Sequence, residues 1–138
     1  MKLFAAACAG VCAAPATIFV LLAPANASAG GSRVESALKK LDPSSRLTQV
    51  CDLKAMEAIG RSSKDFRPDR AVVDAVSSPA VSNNTIKGKG GAFRSRGKWY
   101  QFSFTCSTSP DRMKVISFDY NVGDAIPEAK WSDYGLYR

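Results

Sequence analysis

Between residues 87 and 99 the sequence gathers cations and one aromatic ring, the side chains that suit the binding of an anionic ligand. Arginine donates paired N–H groups to a phosphate or carboxylate, lysine supplies a compact positive charge, and an indole ring stacks on a sugar or a base. The alternative is that the arginines keep a hairpin tip soluble while the ring covers the outer face of a sheet. The candidate binding residues are Arg94, Arg96, Lys98 and Trp99, with Lys87 and Lys89 beside them.

The chain offers few of the residues that enzymes use for catalysis. It has no histidine, which removes Ser-His-Asp and Cys-His catalysis and the commonest transition-metal ligand. Two carboxylates could still act as acid and base on a glycosidic bond, and Ser103 with Lys98 is a conceivable serine–lysine pair. Because no set of residues with complementary roles emerges, we expect no enzyme, cofactor or metal site. The carboxylates considered are Asp119, Asp124, Glu128 and Asp133.

The first 29 residues have the pattern of a cleavable signal peptide. A positive start precedes an apolar, alanine-rich stretch at residues 3–22, and Ala27 with Ala29 fits an A-x-A cleavage site. We place the cut before Gly30, or alternatively before Ser28. The rival interpretation is a membrane anchor, because the apolar stretch approaches the ~20 residues that a span needs. After cleavage, no second apolar segment would remain to span a membrane.

Four cysteines are present, and two of them would survive removal of the leader. Cys8 and Cys12 lie within the leader, whereas Cys51 and Cys106 belong to the mature chain. An even pair in an exported protein is typical of one disulfide bond. A free reactive thiol is the alternative, but Cys106 shares a predicted strand face with phenylalanines, which suits a structural sulfur better.

The clearest strand in the sequence runs from Lys98 to Cys106. Its apolar and polar residues alternate with a period of two, as in a half-buried strand. A second alternating run follows from Val115, and the turn-forming residues at 107–112 join the two into an antiparallel hairpin. The predicted inner faces are Tyr100, Phe102, Phe104 and Cys106 in the first strand and Ile116, Phe118, Tyr120 and Val122 in the second.

Two helices are predicted ahead of these strands. A flexible lead at residues 30–32 precedes a short helix whose apolar face starts at Val34. Asp42 and Pro43 are suited to cap and open a second helix, which Gly60 would end. Both cysteines then point inward, so that their bridge would pin this helix across the sheet. The apolar positions are Val34, Ala37, Leu38 and Leu41 in the first helix and Leu47, Val50, Cys51, Ala55, Ala58 and Ile59 in the second.

The remaining segments complete an α+β domain over residues 42–138, with N-terminal helices packed on a small antiparallel sheet. Residues 71–76 fit a strand or a helix, and we favour a strand, followed by a loop at residues 77–84. Residues 85–94 form a strand that glycines bend or bulge at 88–91. The same glycines lack the spacing of a phosphate loop. A turn at residues 95–98 places the cations at a hairpin tip, and the tail from Asp124 lies over an open side of the core.

Positive charge is concentrated in one part of the sequence. The formal net charge is +7, and ten basic side chains face only four acidic ones between residues 54 and 98. A basic surface attracts phosphates, acidic glycans and anionic lipids, although it also serves solubility alone.

Four motifs carry a resemblance to a known family: CDLKAM at 51–56, AFRSRGKWYQFSFTC at 92–106, ISFDYNVGDAIP at 116–127 and WSDYGL at 131–136. Together they resemble the domain-of-unknown-function 930 family, small exported proteins of alphaproteobacteria, over most of the chain from about Leu41. The resemblance implies a Gram-negative periplasmic location and supports the cysteine pairing. It implies no activity, and no catalytic residues carry over.

Three classes of function follow as hypotheses. The leading one is a non-enzymatic periplasmic domain that contacts an anionic envelope component or a partner protein through the basic-aromatic hairpin. The second is a carboxylate-type hydrolase of cell-wall sugar. The third is nucleic-acid binding, which the positive charge favours and export opposes.

Overall fold

A computed structural model describes residues 28–138, which form two helices and a five-stranded antiparallel sheet. The strands lie in the order β1-β3-β4-β5, and β2 pairs with β3 on the same edge as β1. The predicted α+β class is therefore confirmed. The leader proposed for residues 1–29 lies outside the described residues except for Ser28 and Ala29. The elements are α1 (Ser28–Lys39), α2 (Pro43–Ser62), β1 (Pro68–Val72), β2 (Ala80–Ser82), β3 (Thr85–Ser95), β4 (Lys98–Thr108), β5 (Val115–Ala125) and two 3-10 helices (Glu128–Lys130 and Ser132–Tyr134).

The N-terminus of α2 forms as predicted. The Oδ1 atom of Asp42 accepts hydrogen bonds from the backbone N–H groups of Ser44 and Ser45 at 3.0 and 3.1 Å, and Pro43 is the first helical residue. These bonds satisfy donors that have no partner within the helix. The predicted end at Gly60 is wrong, because α2 continues to Ser62. Gly60 lies beside Pro68, and a Cβ at this glycine would be 3.4 Å from the proline ring, an ordinary van der Waals contact.

The short helix α1 begins earlier than predicted. Residues 30–32, predicted as a flexible lead, lie within α1; glycine lowers helix stability, but it does not break a helix as proline does. Of the predicted apolar face, Leu38 is buried whereas Val34 stays 44% exposed. Because Val34 and Leu38 lie on the same side of the helix, only the C-terminal turn of α1 contributes to the core.

The sheet has the predicted hairpins and a glycine bulge. A two-residue turn joins β3 to β4, with positive φ at Arg96 (51°) and Gly97 (76°), the geometry of the tight turns that suit twisted strands. The pairing of β3 with β4 shifts register between Gly88 and Gly91, as the glycines predicted. Strand β4 extends two residues beyond Cys106, to Thr108, which shifts the six-residue loop from the predicted residues 107–112 to residues 109–114.

The predicted inner face of β5 is wrong at Ile116, whereas Val122, which pairs with Phe102, lies on that face as predicted but is partly exposed. Ile116 is 72% and Val122 38% exposed, whereas Phe118 and Tyr120 pack against the core. One register shift places Ile116 as an extra residue between the pairs Thr108–Val115 and Ser107–Ser117, and a bulge of this kind removes a residue from the alternation. Val122 lies in register, but β5 is an edge strand that leaves it partly uncovered.

The face of the sheet that packs on α2, here the inner face, holds the main core. The predicted bridge between Cys51 and Cys106 is confirmed, with the two Cα atoms 6.2 Å apart and both residues fully buried. Every predicted apolar residue of α2 is buried except Ala58, which is partly buried. The bridge therefore joins helix and sheet inside the packed interior.

The opposite, outer face is covered over half of its length. The chain after β5 folds back so that Ile126, Trp131 and Leu136 pack on Ala92 and Trp99, which agrees with the predicted tail. The predicted strand at 71–76 ends at Val72, and the turn that follows packs on this second core through Ala75 and Val76. The predicted loop at 77–84 contains the short strand β2, which extends the edge beside β1.

Candidate functional site

The predicted basic-aromatic cluster is divided among three places. Arg94 and Trp99 lie beneath the C-terminal segment, Arg96 and Lys98 stand at the hairpin turn, and Lys87 and Lys89 lie on the open half of the outer face. Lys87 pairs with Thr105, which is seven residues from Lys98 along β4. At the rise of a strand this is roughly 23 Å. The six residues therefore do not form one binding surface.

Arg94 is engaged inside the fold. Its Nε and Nη2 atoms donate to the two carboxylate oxygens of Asp69 at 2.9 and 3.1 Å, Nη1 donates to the carbonyl of Tyr137, and the side chain is only 17% exposed. These bonds lower the pKa of Asp69 and raise that of Arg94. A guanidinium with this partner set holds β1, β3 and the C-terminus together.

Trp99 is buried, so the prediction that its ring is available for stacking is wrong. It is 1% exposed, and its indole N–H donates to the carbonyl of Tyr137 at 2.9 Å. The guanidinium carbon of Arg94 lies 5.9 Å from the ring centroid. The alternative interpretation of this ring, as a cover for the outer face of the sheet, agrees with its position.

Arg96 and Lys98 rim a concave surface, here called the hairpin-end groove. It encloses about 500 Å³ between the β3–β4 turn and the C-terminal segment. Both side chains are exposed, and neither makes a hydrogen bond or ion pair within residues 28–138. The other lining residues are Gly97, Ala125, Ile126, Glu128, Trp131 and Arg138.

The hairpin-end groove has an apolar floor and a third cation that the sequence did not single out. Trp131 and Ile126 are buried, and the indole N–H of Trp131 is already bonded to the carbonyl of Ile126 at 2.8 Å. The Nε atom of Arg138 donates to Glu128 at 3.0 Å. The groove therefore combines three cations with one carboxylate. Trp131 supplies the aromatic surface that Trp99 was predicted to supply, and only the return of the C-terminus brings it there.

Lys87 and Lys89 line a second concave surface, here called the outer-face groove, of about 480 Å³. Its floor is the backbone of one register row, Gly88–Phe104–Tyr120, because the side chains of Phe104 and Tyr120 pack in the inner core. Polar side chains flank this floor on both sides. They are Lys87, Lys89, Ser103, Thr105, Asp119 and Asn121.

The carboxylates considered for acid–base chemistry do not converge. Asp119 lines the outer-face groove, Glu128 lines the hairpin-end groove, and Asp133 is paired with Lys130. Asp124 is exposed near the end of β5. The serine–lysine pair is also separated, because Ser103 and Lys98 are five residues apart on β4, roughly 17 Å at the rise of a strand.

One carboxyl group that the sequence did not indicate has an altered pKa. Asp52 on α2 accepts a hydrogen bond from the backbone N–H of Val73 at 2.8 Å. Burial raises its pKa from 3.8 to about 7, and the nearby charge of Asp74 contributes to the rise. It lines a cleft of about 390 Å³ between α2 and β1 together with Asp69. The signal in the sequence is its position beside Cys51, at the margin of the buried side of α2.

The described part of the chain lacks two further features that would indicate a function. Within residues 28–138 no cluster of three or more histidine, cysteine, aspartate or glutamate side chains could hold a metal ion. None of the helices in the same range is both long and apolar enough to cross a membrane.

The fold and its grooves define a small α+β domain in which a buried disulfide ties a helix to an antiparallel sheet. Residues 38–136 match the family model described as Domain of Unknown Function (DUF930), and the chain belongs to this family. The match spans α2, the whole sheet and the segment that packs on Trp99. No curated protein and no solved structure matches the chain.

Proposed function

We propose that this protein is an exported, non-enzymatic binding domain of the periplasm that holds an anionic component of the cell envelope in the hairpin-end groove. The observation that carries the proposal is the pairing of two free cations, Arg96 and Lys98, with an apolar floor in one concavity. Ligand sites combine apolar walls with a few placed polar groups in this way.

The composition of the groove favours a phosphate or carboxylate attached to an apolar body, as in the head group of an anionic lipid. Arg96 can donate two parallel N–H groups to such an anion, and Lys98 adds a point charge. Ile126 and Trp131 would contact the apolar part, since the polar atom of the indole is already bonded within the protein. Glu128 repels a second anion, although its bond to Arg138 offsets part of that charge.

A binding role is favoured over hydrolysis by the state of the carboxylates. Two clefts in the described part of the chain are each lined by two carboxylates, Glu35 with Asp111 and Asp52 with Asp69. In the first cleft Glu35 is paired with Lys39 at 2.7 Å, and Asp111 accepts hydrogen bonds from Ser109 and Met113. Both oxygens of Asp69 already accept hydrogen bonds from Arg94, so this group is held by the fold and is not free to act as a nucleophile or base. Acid–base hydrolysis of a sugar needs two available carboxyl groups.

Export is supported by the signal-peptide pattern at residues 1–29 and by the disulfide, because such bonds persist in oxidising compartments. We expect the full chain, produced in a Gram-negative host, to appear in the periplasmic fraction. Its mass should be that of a chain beginning at Gly30 or Ser28, less the two hydrogens that are lost when the disulfide forms. Intact-mass spectrometry of the fractions measures this. Uncut chain in the membrane fraction would contradict export with cleavage.

Removing the two free cations is expected to weaken binding to anionic vesicles by roughly 30-fold, because each basic residue near an anionic surface contributes about 1 kcal/mol. The variant is Arg96→Asn/Lys98→Gln, in which asparagine tolerates the positive φ of the turn. Co-sedimentation with phosphatidylglycerol vesicles, compared with phosphatidylcholine vesicles at the same salt concentration, measures the effect.

The matched control is Arg33→Gln/Lys40→Gln, which also removes one arginine and one lysine, both exposed on or just after α1. Its vesicle affinity should stay within about twofold of the wild type, since net charge alone then changes equally in both variants. If both variants bound anionic vesicles with equal affinity, the hairpin-end groove would not be the binding site. Binding of a periplasmic protein with no binding of vesicles would reassign the partner from lipid to protein.

A further inference from the structure

The outer-face groove is a second concave surface that shares no lining residue with the hairpin-end groove. The bulge between Gly88 and Gly91 divides the outer face of the sheet into two halves. On one side of it Ala92 and Trp99 are buried under the C-terminal segment, and the backbone N–H of Val76 bonds to the carbonyl of Gly90 at 2.8 Å. On the other side nothing within residues 28–138 covers the face. The groove occupies this open half.

The six polar side chains of the outer-face groove make no hydrogen bond or ion pair with the rest of the described chain. Neighbouring polar groups on the same face do find partners. The side-chain amide of Gln101 donates to the carbonyl of Lys89 at 2.9 Å, and the hydroxyl groups of Thr85 and Ser107 lie 2.9 Å apart. These bonds lie in the register rows on either side of the groove. The polar groups between them are left for a ligand or for solvent.

The strand register arranges these side chains as two rows across three strands. One row is Lys87–Thr105–Asp119, and the other contains Ser103 and Asn121 with Lys89 beside them. At usual spacings the rows are roughly 7 Å apart and β3 is roughly 9.5 Å from β5. Both lysines stand on the β3 side, and the carboxylate and the amide stand on the β5 side. Between them, Ser103 and Thr105 present hydroxyl groups.

We propose that the outer-face groove binds an acidic oligosaccharide, with Asp119 and Asn121 holding sugar hydroxyl groups and Lys87 and Lys89 holding the acidic group. Carboxylate and amide side chains can bond to vicinal hydroxyl groups in pairs, and serine and threonine both donate and accept. Two lysines against one aspartate leave a positive excess that selects a charged sugar over a neutral one. The volume falls in the range of small-ligand sites.

The position of the groove separates it from the hairpin-end groove. The register places Lys87 roughly 23 Å from Lys98, and no residue lines both surfaces. Loss of one function therefore leaves the other intact. Lipid binding at the hairpin end and sugar binding on the outer face stand or fall separately.

The test uses Lys87→Gln/Asp119→Asn, a variant that removes one positive and one negative charge and so keeps the net charge. We expect a uronic-acid oligomer to shift the NMR signals of backbone amides at residues 87–89, 103–105 and 119–121, and the variant to bind it at least tenfold more weakly. The matched neutral glucose oligomer should bind more weakly than the acidic one. The control Arg96→Asn/Lys98→Gln should bind the acidic oligomer as the wild type does.

Three outcomes would overturn the proposal. The first is that the acidic oligomer causes no NMR shifts, and the second is that the wild type and Lys87→Gln/Asp119→Asn bind it equally. The third is that inorganic phosphate binds as tightly as the oligomer, which would indicate an ion site without sugar recognition. Asn121→Ala, which alters an exposed side chain without touching a charge, is a second variant with the same expected direction, and unchanged affinity in it would also count against the proposal.

Discussion

Replacing both Cys51 and Cys106 with alanine is expected to lower the free energy of unfolding by about 4 kcal/mol. The bridge joins residues 55 positions apart, and the chain-entropy model assigns about 4 kcal/mol to a loop of that length. Single domains are stable by only about 5–15 kcal/mol, so the loss is a large part of the total. Urea unfolding of the two proteins, followed by circular dichroism, measures the difference.

Reduction of the wild-type protein provides the control for this prediction. Both sulfur atoms lie in the main core between α2 and the sheet, so alanine also removes packed volume, whereas reduction breaks the link and keeps both sulfurs. We expect reduction to account for most of the loss and the alanine variant to be slightly less stable again, because a cavity adds its own cost. Equal midpoints for oxidised and reduced protein would show that the bridge does not stabilise the fold.

The success of the disulfide prediction has a local cause. Cys51 lies on an apolar stripe with helical spacing, and Cys106 lies on a strand whose residues alternate with a period of two. Each pattern involves only residues that are close in sequence within one helix or one strand. The same holds for the Asp42 cap and for the inward positions of Phe102 and Phe104. Where the burial of a side chain depends on its immediate neighbours along one element, the sequence predicts it.

The errors arise where burial depends on distant parts of the chain. Alternation correctly assigns Trp99 to the outer face, but its burial depends on Trp131 and Leu136 folding back from the C-terminus. Ile116 is misplaced because a bulge in β5 interrupts the alternation, and nothing in its own residue type announces that bulge. The prediction that the cations between residues 87 and 98 form one surface is therefore wrong, because the fold separates them.

The candidate sites also differ in whether their residues can be predicted from local sequence or only from contacts with distant parts of the chain. Arg96 and Lys98 are predictable because a tight turn must expose its residues. Arg138 joins them only through the closure of the tail, and the outer-face groove exists only because β3, β4 and β5 bring Lys87, Thr105 and Asp119 into one row. Register is a property of paired strands, so a single strand read alone does not show it.

Substituting Asp52 with asparagine is expected to remove a loss of stability that the wild-type protein undergoes between pH 4 and pH 8. The folded-state pKa of this group is raised from 3.8 to about 7, so the folded protein holds a proton that the unfolded chain releases. The stability from the neutral carboxyl is fully present below pH 3.8 and is lost as the pH rises through 7. At about 1.4 kcal/mol per pKa unit, reduced because the group is only partly buried, the loss is roughly 2–4 kcal/mol.

Asparagine keeps an oxygen that can accept the N–H of Val73, so the variant should match the wild type near pH 4 and exceed it by roughly 2–4 kcal/mol near pH 8. Urea unfolding across this pH range measures the free energy, and a carbon NMR titration of the Asp52 carboxyl should give a midpoint near 7. Asp74→Asn is the matched control, because Asp74 contributes less to the raised pKa of Asp52 than burial does. This variant should lower the titration midpoint of Asp52 slightly and keep most of the dependence of the unfolding free energy on pH. If the free energy of unfolding of the wild type fell no more between pH 4 and pH 8 than that of Asp52→Asn, the folded protein would not hold a proton on Asp52. Hydrogen bonds lower the pKa values of Asp69 and Asp111, so the stability that these carboxylates contribute has the opposite pH dependence and is lost only at more acidic pH.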